Sequence, residues 1–144
     1  PCLPESALPT PLITVVIATR LREDRLDYLA AMHTSLTRQS VPWEAVIALD
    51  GADPNRLPGP LAADPRIRAL ALPRPVGAAC ARNLALTHVR TKYMNWADDD
   101  DEFTDDAMAA RLSTLESTGV GWCAGWSVDL HPDVFRPTEA LCGQ

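Results

Sequence analysis

The hydrophobic pattern changes period several times along the chain. Residues 12–18 (LITVVIA) are a short β-branched apolar run, which predicts a strand buried on both faces. Leu26, Leu29, His33 and Leu36 follow at helical spacing and predict a helix over 24–38. Residues 44–49 (EAVIAL) predict a second buried strand, which ends at Asp50-Gly51. Residues 51–65 hold four prolines and two glycines and predict a long irregular loop. A third strand is predicted over 66–72 (RIRALAL), an alanine-rich helix from Gly77 to Val89, and a fourth strand over 92–97 (KYMNWA) that runs into an acidic cluster. Thr104 reads as the cap of a further helix, with Asp105 and Asp106 in its first turn and Met108, Leu112 and Leu115 on its inner face. Residues 120–128 predict a fifth strand, and the tail from Asp129 has no clear period.

Strands alternating with helices predict an α/β, Rossmann-like parallel sheet with right-handed crossovers and flanking helices. In such sheets ligands gather outside the carboxyl ends of the strands. Thr19 and Arg20 follow strand one, Asp50 and Gly51 strand two, Arg74 and Gly77 strand three, and Asp98 to Asp101 strand four. All four segments are therefore expected along one edge of one sheet. The chain divides into a proline-rich segment 1–11, one domain over 12–128, and an irregular tail 129–144.

Composition narrows the class. A chain of 144 residues, 47% hydrophobic and 22% charged, is expected to form one globular domain or part of a larger one. Its longest apolar stretch, Leu12 to Ala18, is far short of the roughly 20 residues of a bilayer span. Asp98 to Asp101, Glu102, Asp105 and Asp106 supply seven of the 19 acids, and without them the formal charge of −6 would be +1. No Lys/Arg-rich run is present, which argues against a nucleic-acid partner. None of Cys2, Cys80, Cys123 and Cys142 has zinc-ligand spacing. Cys80 and Cys123 lie among apolar residues, which predicts buried free thiols in a reduced, cytoplasmic protein. A Cys123–Cys142 disulfide stands as the alternative. The N-terminus lacks the basic start and unbroken apolar core of a signal peptide, and its first residue is Pro1 rather than Met, the expectation for a processed or trimmed chain.

Consecutive carboxylates raise one another's pKa unless a cation or hydrogen-bond donors compensate. Asp98 to Asp101 at a strand end thus predict a hard divalent cation, Mg²⁺ or Mn²⁺. On an extended chain Asp98 and Asp100 would share one side, and Asp99 and Asp101 the other. The competing reading is a solvated acidic loop leading into a helix, which Asp105 and Asp106 fit as first-turn acids. An EF-hand loop fails, because its sixth position is Phe103 and its twelfth Ala109.

The order ITVVIAT, a strand ending in Asp-Gly, PVGAACARN and YMNWADDDD resembles the nucleotide-diphospho-sugar glycosyltransferases of the GT-A fold, and among them the inverting glycosyltransferase family 2. The resemblance runs from residue 12 to about 126. Asp98-Asp99-Asp100 matches the family's Asp-x-Asp motif, and Asp101 a frequent extra acid. The resemblance implies that Thr19 contacts the nucleotide and that Asp50 hydrogen-bonds the base, usually uracil. It places Gly77, Arg82 and Asn83 beside the donor. It sets Asp98 toward the ribose or sugar, and Asp100, with Asp98 and Asp101, on the metal. It implies transfer of a sugar, with UDP the expected nucleotide, to a sugar, lipid or small-molecule hydroxyl that loses its proton to a carboxylate base.

Two features depart from that pattern. The family's base lies well downstream, in a region that follows strand five, whereas this chain ends 44 residues after Asp100, with Asp129, Asp133 and Glu139 as the only acids after that strand. Strand two ends in Leu-Asp-Gly, where the family commonly has two acids before the glycine. The chain therefore reads as a donor-binding half, short for the family, and a non-catalytic nucleotide-sugar-binding module or donor-half fragment is the alternative to an active enzyme. A sheet cut short would expose apolar surface and favour self-association.

Simpler roles stand beside several of these. Asp50 has a turn-forming role open to it, Arg82 and Arg74 surface roles, and Gly77 a helix start. His33 reads as a packed core histidine. His131 stands as an early candidate for the late metal-binding histidine of some GT-A enzymes. Trp122 and Trp126 alternate onto one strand face, for core packing or for stacking on a sugar. A nucleotidyltransferase fails because ATRLRED contains no glycine, a phosphoacceptor receiver because strand one ends in Thr-Arg, and a P-loop because no Gly-Lys-Ser/Thr occurs.

Overall fold

A computed structural model describes residues 8–125 and a short strand at Cys142–Gly143. The chain runs β1 (Ile13–Thr19), α1 (Leu26–Thr37), β2 (Trp43–Leu49), α2 (Gly59–Ala63), β3 (Ile67–Ala71), α3 (Ala78–Leu86), β4 (Tyr93–Ala97), α4 (Ala107–Thr118), β5 (Trp122–Cys123) and β6 (Cys142–Gly143). The first four strands form one parallel sheet in the order β3-β2-β1-β4. Both central strands are hydrophobic on both faces because both faces are covered. Ile13, Val15 and Ile17 of β1 and Ala45, Ile47 and Leu49 of β2 pack with Leu29, Met32 and Leu36 of α1 and Met108 of α4. The alternate residues Val16, Val46 and Ala48 meet Ala81 and Ala85 of α3. The α/β layers expected from the pattern are thus present.

His33 is buried on α1, and its Nε2 lies 2.9 Å from Asp64 Oδ2, as expected of a core histidine. Asp64 also accepts from Arg66 (Nη2 2.8 Å, Nε 3.0 Å), and the Arg66 guanidinium stacks 3.9 Å from the Trp43 ring centroid. This network ties α1 to the start of β3. It holds the Asp64 carboxyl well below the usual carboxylate range, chiefly through Arg66 and then, against the cost of desolvation, through His33.

Five expectations need correction. The segment 51–65 contains a helix, α2, with Leu61 buried beneath it. Its prolines break nothing, because Pro58 precedes the helix and Pro60 sits in the first turn, where no N–H is needed. α4 begins at Ala107, so Asp105 and Asp106 precede it and Thr104 does not cap it. Gln39, after α1, takes over the capping: its Oε1 accepts from Met108 N at 3.1 Å and its Nε2 donates to Thr104 O at 2.8 Å. β5 is not a fifth strand of the parallel sheet but pairs antiparallel with β6, Cys123 opposite Cys142, and the Cys123 thiol is free and half-buried. Cys80 is exposed, because the buried stripe of α3 is Ala81 and Ala85, and Cys80 lies off it. Trp122 is 48% exposed and packs in no core. Trp126, Asp129, His131, Asp133, Glu139 and Cys2 lie outside the described residues.

Candidate functional site

The carboxyl ends of β1, β2 and β4 and the loop after β3 do meet at one edge, and hydrogen bonds join them. Asp50 N donates to Thr19 O at 2.8 Å, so the ends of β1 and β2 are locked side by side. The Asp50 carboxylate is 4% exposed. It accepts from Val76 N (2.6 Å), Gly77 N (3.2 Å) and Arg20 Nε (3.1 Å). These donors, Val76 first, hold its carboxyl below its ordinary value against the opposing effect of burial. The same turn needs a glycine: Gly51 has φ 71°, and a Cβ there would lie 2.4 Å from Pro75 Cδ. The β2 turn and the loop leading into α3 are therefore interlocked. Gly77, with φ 90°, then starts α3.

β1 ends in a second constrained turn. Leu21 has φ 49°, unusual for a residue with a branched side chain. Its N–H donates to Thr19 Oγ1 at 3.1 Å and its side chain is fully buried, so packing and a hydrogen bond both enforce the conformation. Thr19 Oγ1 in turn donates to Asp99 Oδ2 at 2.6 Å.

The acidic cluster is a turn, not an extended strand. Asp101 N donates to Asp98 O at 3.2 Å, and Asp98 N donates to Asp101 Oδ2 at 2.9 Å. The turn replaces the expected two-sided alternation with a fan. Asp98 pairs with Arg82 of α3, Asp99 with Thr19 of β1, and Asp100 with Arg25 just before α1. For this reason no three acidic, histidine or cysteine side chains converge among the described residues. Desolvation and then the adjacent Asp100 push the Asp101 carboxyl up, partly offset by Arg111 and Arg82. Four carboxylates thus face two paired guanidiniums, Arg25 and Arg82, which leaves an excess of negative charge.

Of the residues expected at the site, Thr19, Asp50, Gly77, Arg82, Asp98, Asp100 and Asp101 lie on this edge. Arg82 Nε is a buried donor with no partner among the described residues, although its guanidinium reaches Asp98. Asn83 is exposed on α3, and among the described residues its side chain makes no hydrogen bond. Arg74 is exposed in the β3–α3 loop. Arg25 escaped the sequence reading. The available signal was charge: Arg20, Arg22 and Arg25 crowd the segment after β1 in a chain whose acids gather after β4.

Comparison with known proteins gives a consistent picture. A model of the family described as "Glycosyl transferase family 2" matches residues 14–136. Beta-1,4 N-acetylgalactosaminyltransferase 1 of Homo sapiens is 36% identical over 115 residues, which are 79% of this chain and 20% of that protein. The Mus musculus protein of the same name is 35% identical over 130 residues, 85% of this chain and 23% of its own. The chain thus spans about a fifth of these relatives. Among solved structures, S. aureus TarS 1-349 in complex with UDP-GlcNAc superposes with a TM-score of 0.64 at 18% identity, over 73% of this chain and 31% of that one. The mannosyltransferase PcManGT from Pyrobaculum calidifontis, in complex with GDP-Man and Mn²⁺, gives a TM-score of 0.67 at 20% identity, over 77% and 34%. These likenesses establish the GT-A fold.

Proposed function

The chain belongs to glycosyl transferase family 2, and from that membership we propose that it is the donor-binding part of a metal-dependent, inverting enzyme that transfers a sugar from a nucleotide-diphospho-sugar to an acceptor hydroxyl. The observation that carries the reading is the Asp98–Asp101 turn, set at the carboxyl edge of a parallel sheet beside Thr19, Asp50 and the start of α3.

Each residue has a chemical role there. A carboxylate has about four acceptor positions. Asp50 uses three on Val76, Gly77 and Arg20, which leaves one for the imide N–H of a uracil. UDP is therefore the proposed nucleotide, as TarS is described with UDP-GlcNAc. The free Arg82 Nε–H suits a phosphate or sugar oxygen. Gly77 and α3, which offers unpaired N–H groups at its start, border the same space, and Thr19 and Asn83 flank it.

The donor set also fits Mn²⁺ or Mg²⁺. Asp98, Asp100 and Asp101 offer hard oxygens and surplus negative charge, but the fan does not build a cage of protein ligands. Such a site suits a cation held by one or two carboxylates and by substrate phosphates. When bound, the cation supplies charge neutralisation on the departing nucleoside diphosphate. Asp98 and Asp100 would hold it, with Asp101 completing the turn behind them.

The chain spans about a fifth of its relatives. That observation favours a second reading for the isolated chain: a nucleotide-sugar-binding unit that needs further protein to bind the acceptor. Calorimetric titration of UDP, GDP and dTDP, with and without Mn²⁺, tests the site. Metal-dependent UDP binding that is lost in Asp100→Ala is the expected result. No binding of any nucleotide would refute the donor site. Sugar transfer, or hydrolysis of a UDP-sugar, by the purified chain would separate the enzyme from the binding unit. No helix among the described residues is long and apolar enough to cross a membrane.

A further inference from the structure

We propose that Arg25 is a positioning residue for the cation: it holds Asp100 while the metal is absent and gives the carboxylate up when a divalent cation arrives with a nucleoside diphosphate. This rests on the donor-site reading above and adds a residue to it.

Three observations carry the inference. First, the Arg25 guanidinium already pairs with Asp100 through Oδ2, so a cation on the same carboxylate would stand beside a like charge and the two compete for it. Second, both side chains are about two-fifths exposed, at 39% and 41%. A pair so open to water is weak and can exchange partners. The Arg82–Asp98 pair is about as open, at 33% and 56%, but Arg82 differs in that its Nε is buried. Third, Arg25 has a contact that does not depend on Asp100. While paired, its guanidinium already lies 5.9 Å from the ring centroid of Tyr28, three residues along on α1, and it keeps that neighbour on leaving Asp100.

Competition and structural support predict opposite signs. If Arg25 merely braced the turn, its removal would disorder Asp100 and weaken metal binding. If it competes, removal tightens metal binding. The test titrates Mn²⁺ into the 144-residue chain at saturating UDP and reads free Mn²⁺ by electron paramagnetic resonance. Arg25→Gln should lower the Mn²⁺ Kd about threefold, the scale of an exposed ion pair. Arg22→Gln removes a charge from the same segment, where Arg22 pairs with Asp24 rather than Asp100, and should leave the Kd within experimental error. A Kd in Arg25→Gln equal to or weaker than wild type overturns the proposal, as does equal tightening in both variants, which would reduce it to net charge. If neither wild type nor Arg25→Gln takes up Mn²⁺ with UDP, the donor-site reading itself fails and the role of Arg25 falls with it. Thermal melting of both variants confirms that a folded chain is being compared.

Discussion

Asp50→Asn changes almost no volume and no shape, yet it should be among the most damaging substitutions in the chain. Asp50 receives three N–H donors and has no donor of its own to offer. An asparagine can keep its carbonyl on Val76 N, the shortest of the three bonds at 2.6 Å. Its amide NH₂ then faces Gly77 N–H and Arg20 Nε–H, donor against donor. Each hydrogen bond to a charged group contributes about 1.5–3 kcal/mol. The Arg20 share must be discounted, because its side chain is 56% exposed. The expected loss is about 2–4 kcal/mol, a large part of a typical total of roughly 5–15 kcal/mol. Urea unfolding at neutral pH measures it. The loss should also depend on pH. The folded-state carboxyl is held below its ordinary value, so its stabilisation is complete above the unfolded-state pKa of about 3.9 and disappears as pH falls through the folded value. The gap between wild type and Asp50→Asn should therefore be full at neutral pH and narrow in acid. A variant within about 0.5 kcal/mol of wild type, or a gap that stays constant into acid, would refute the claim that this carboxylate clamps the β3–α3 loop.

Other substitutions probe neighbouring parts of the same argument. Gly51→Ala should cost about 2–4 kcal/mol by urea unfolding, from its positive φ and from the overlap with Pro75, and should weaken UDP binding as the loop is pushed off Asp50. Asp64→Asn should cost about 1–3 kcal/mol at neutral pH; because the Asp64 carboxyl is held low, that gap should close in acid, as followed by fluorescence of Trp43 during unfolding. Trp96→Lys, on the outer strand β4, should reduce any concentration-dependent association seen by light scattering, since Trp96 is 48% exposed on a strand with one neighbour among the described residues.

The sheet was legible because its signal is burial. LITVVIA and EAVIAL are apolar without alternation, and only a strand covered on both faces tolerates that. The misread elements depend on partners distant in sequence. α4 lacks a cap of its own because Gln39, 69 residues upstream of Met108, supplies one. Thr104 looks like a cap because its local spacing suits one, and no local pattern reveals a side chain arriving from the loop after α1. Proline content hid α2 for a related reason: proline stops a helix from within but is compatible with its first turn.

The candidate site was legible in position but not in arrangement. Parallel topology alone brings Thr19, Asp50, Gly77 and the acids to one edge, whatever their side chains do there. The alternation expected for Asp98 to Asp101 assumed that β4 continues through them. It stops at Ala97, because four like charges cannot share a narrow ladder edge without cost, while a turn gives each acid a different partner. Arg82, Thr19 and Arg25 come from α3, β1 and the approach to α1, so the fan closes a ring of contacts across three elements. Those partners are what a single run of aspartates cannot announce. On the donor-site reading proposed above, the fan also bears on the chemistry: carboxylates that diverge would hold a cation weakly alone, and a nucleoside diphosphate would complete its shell.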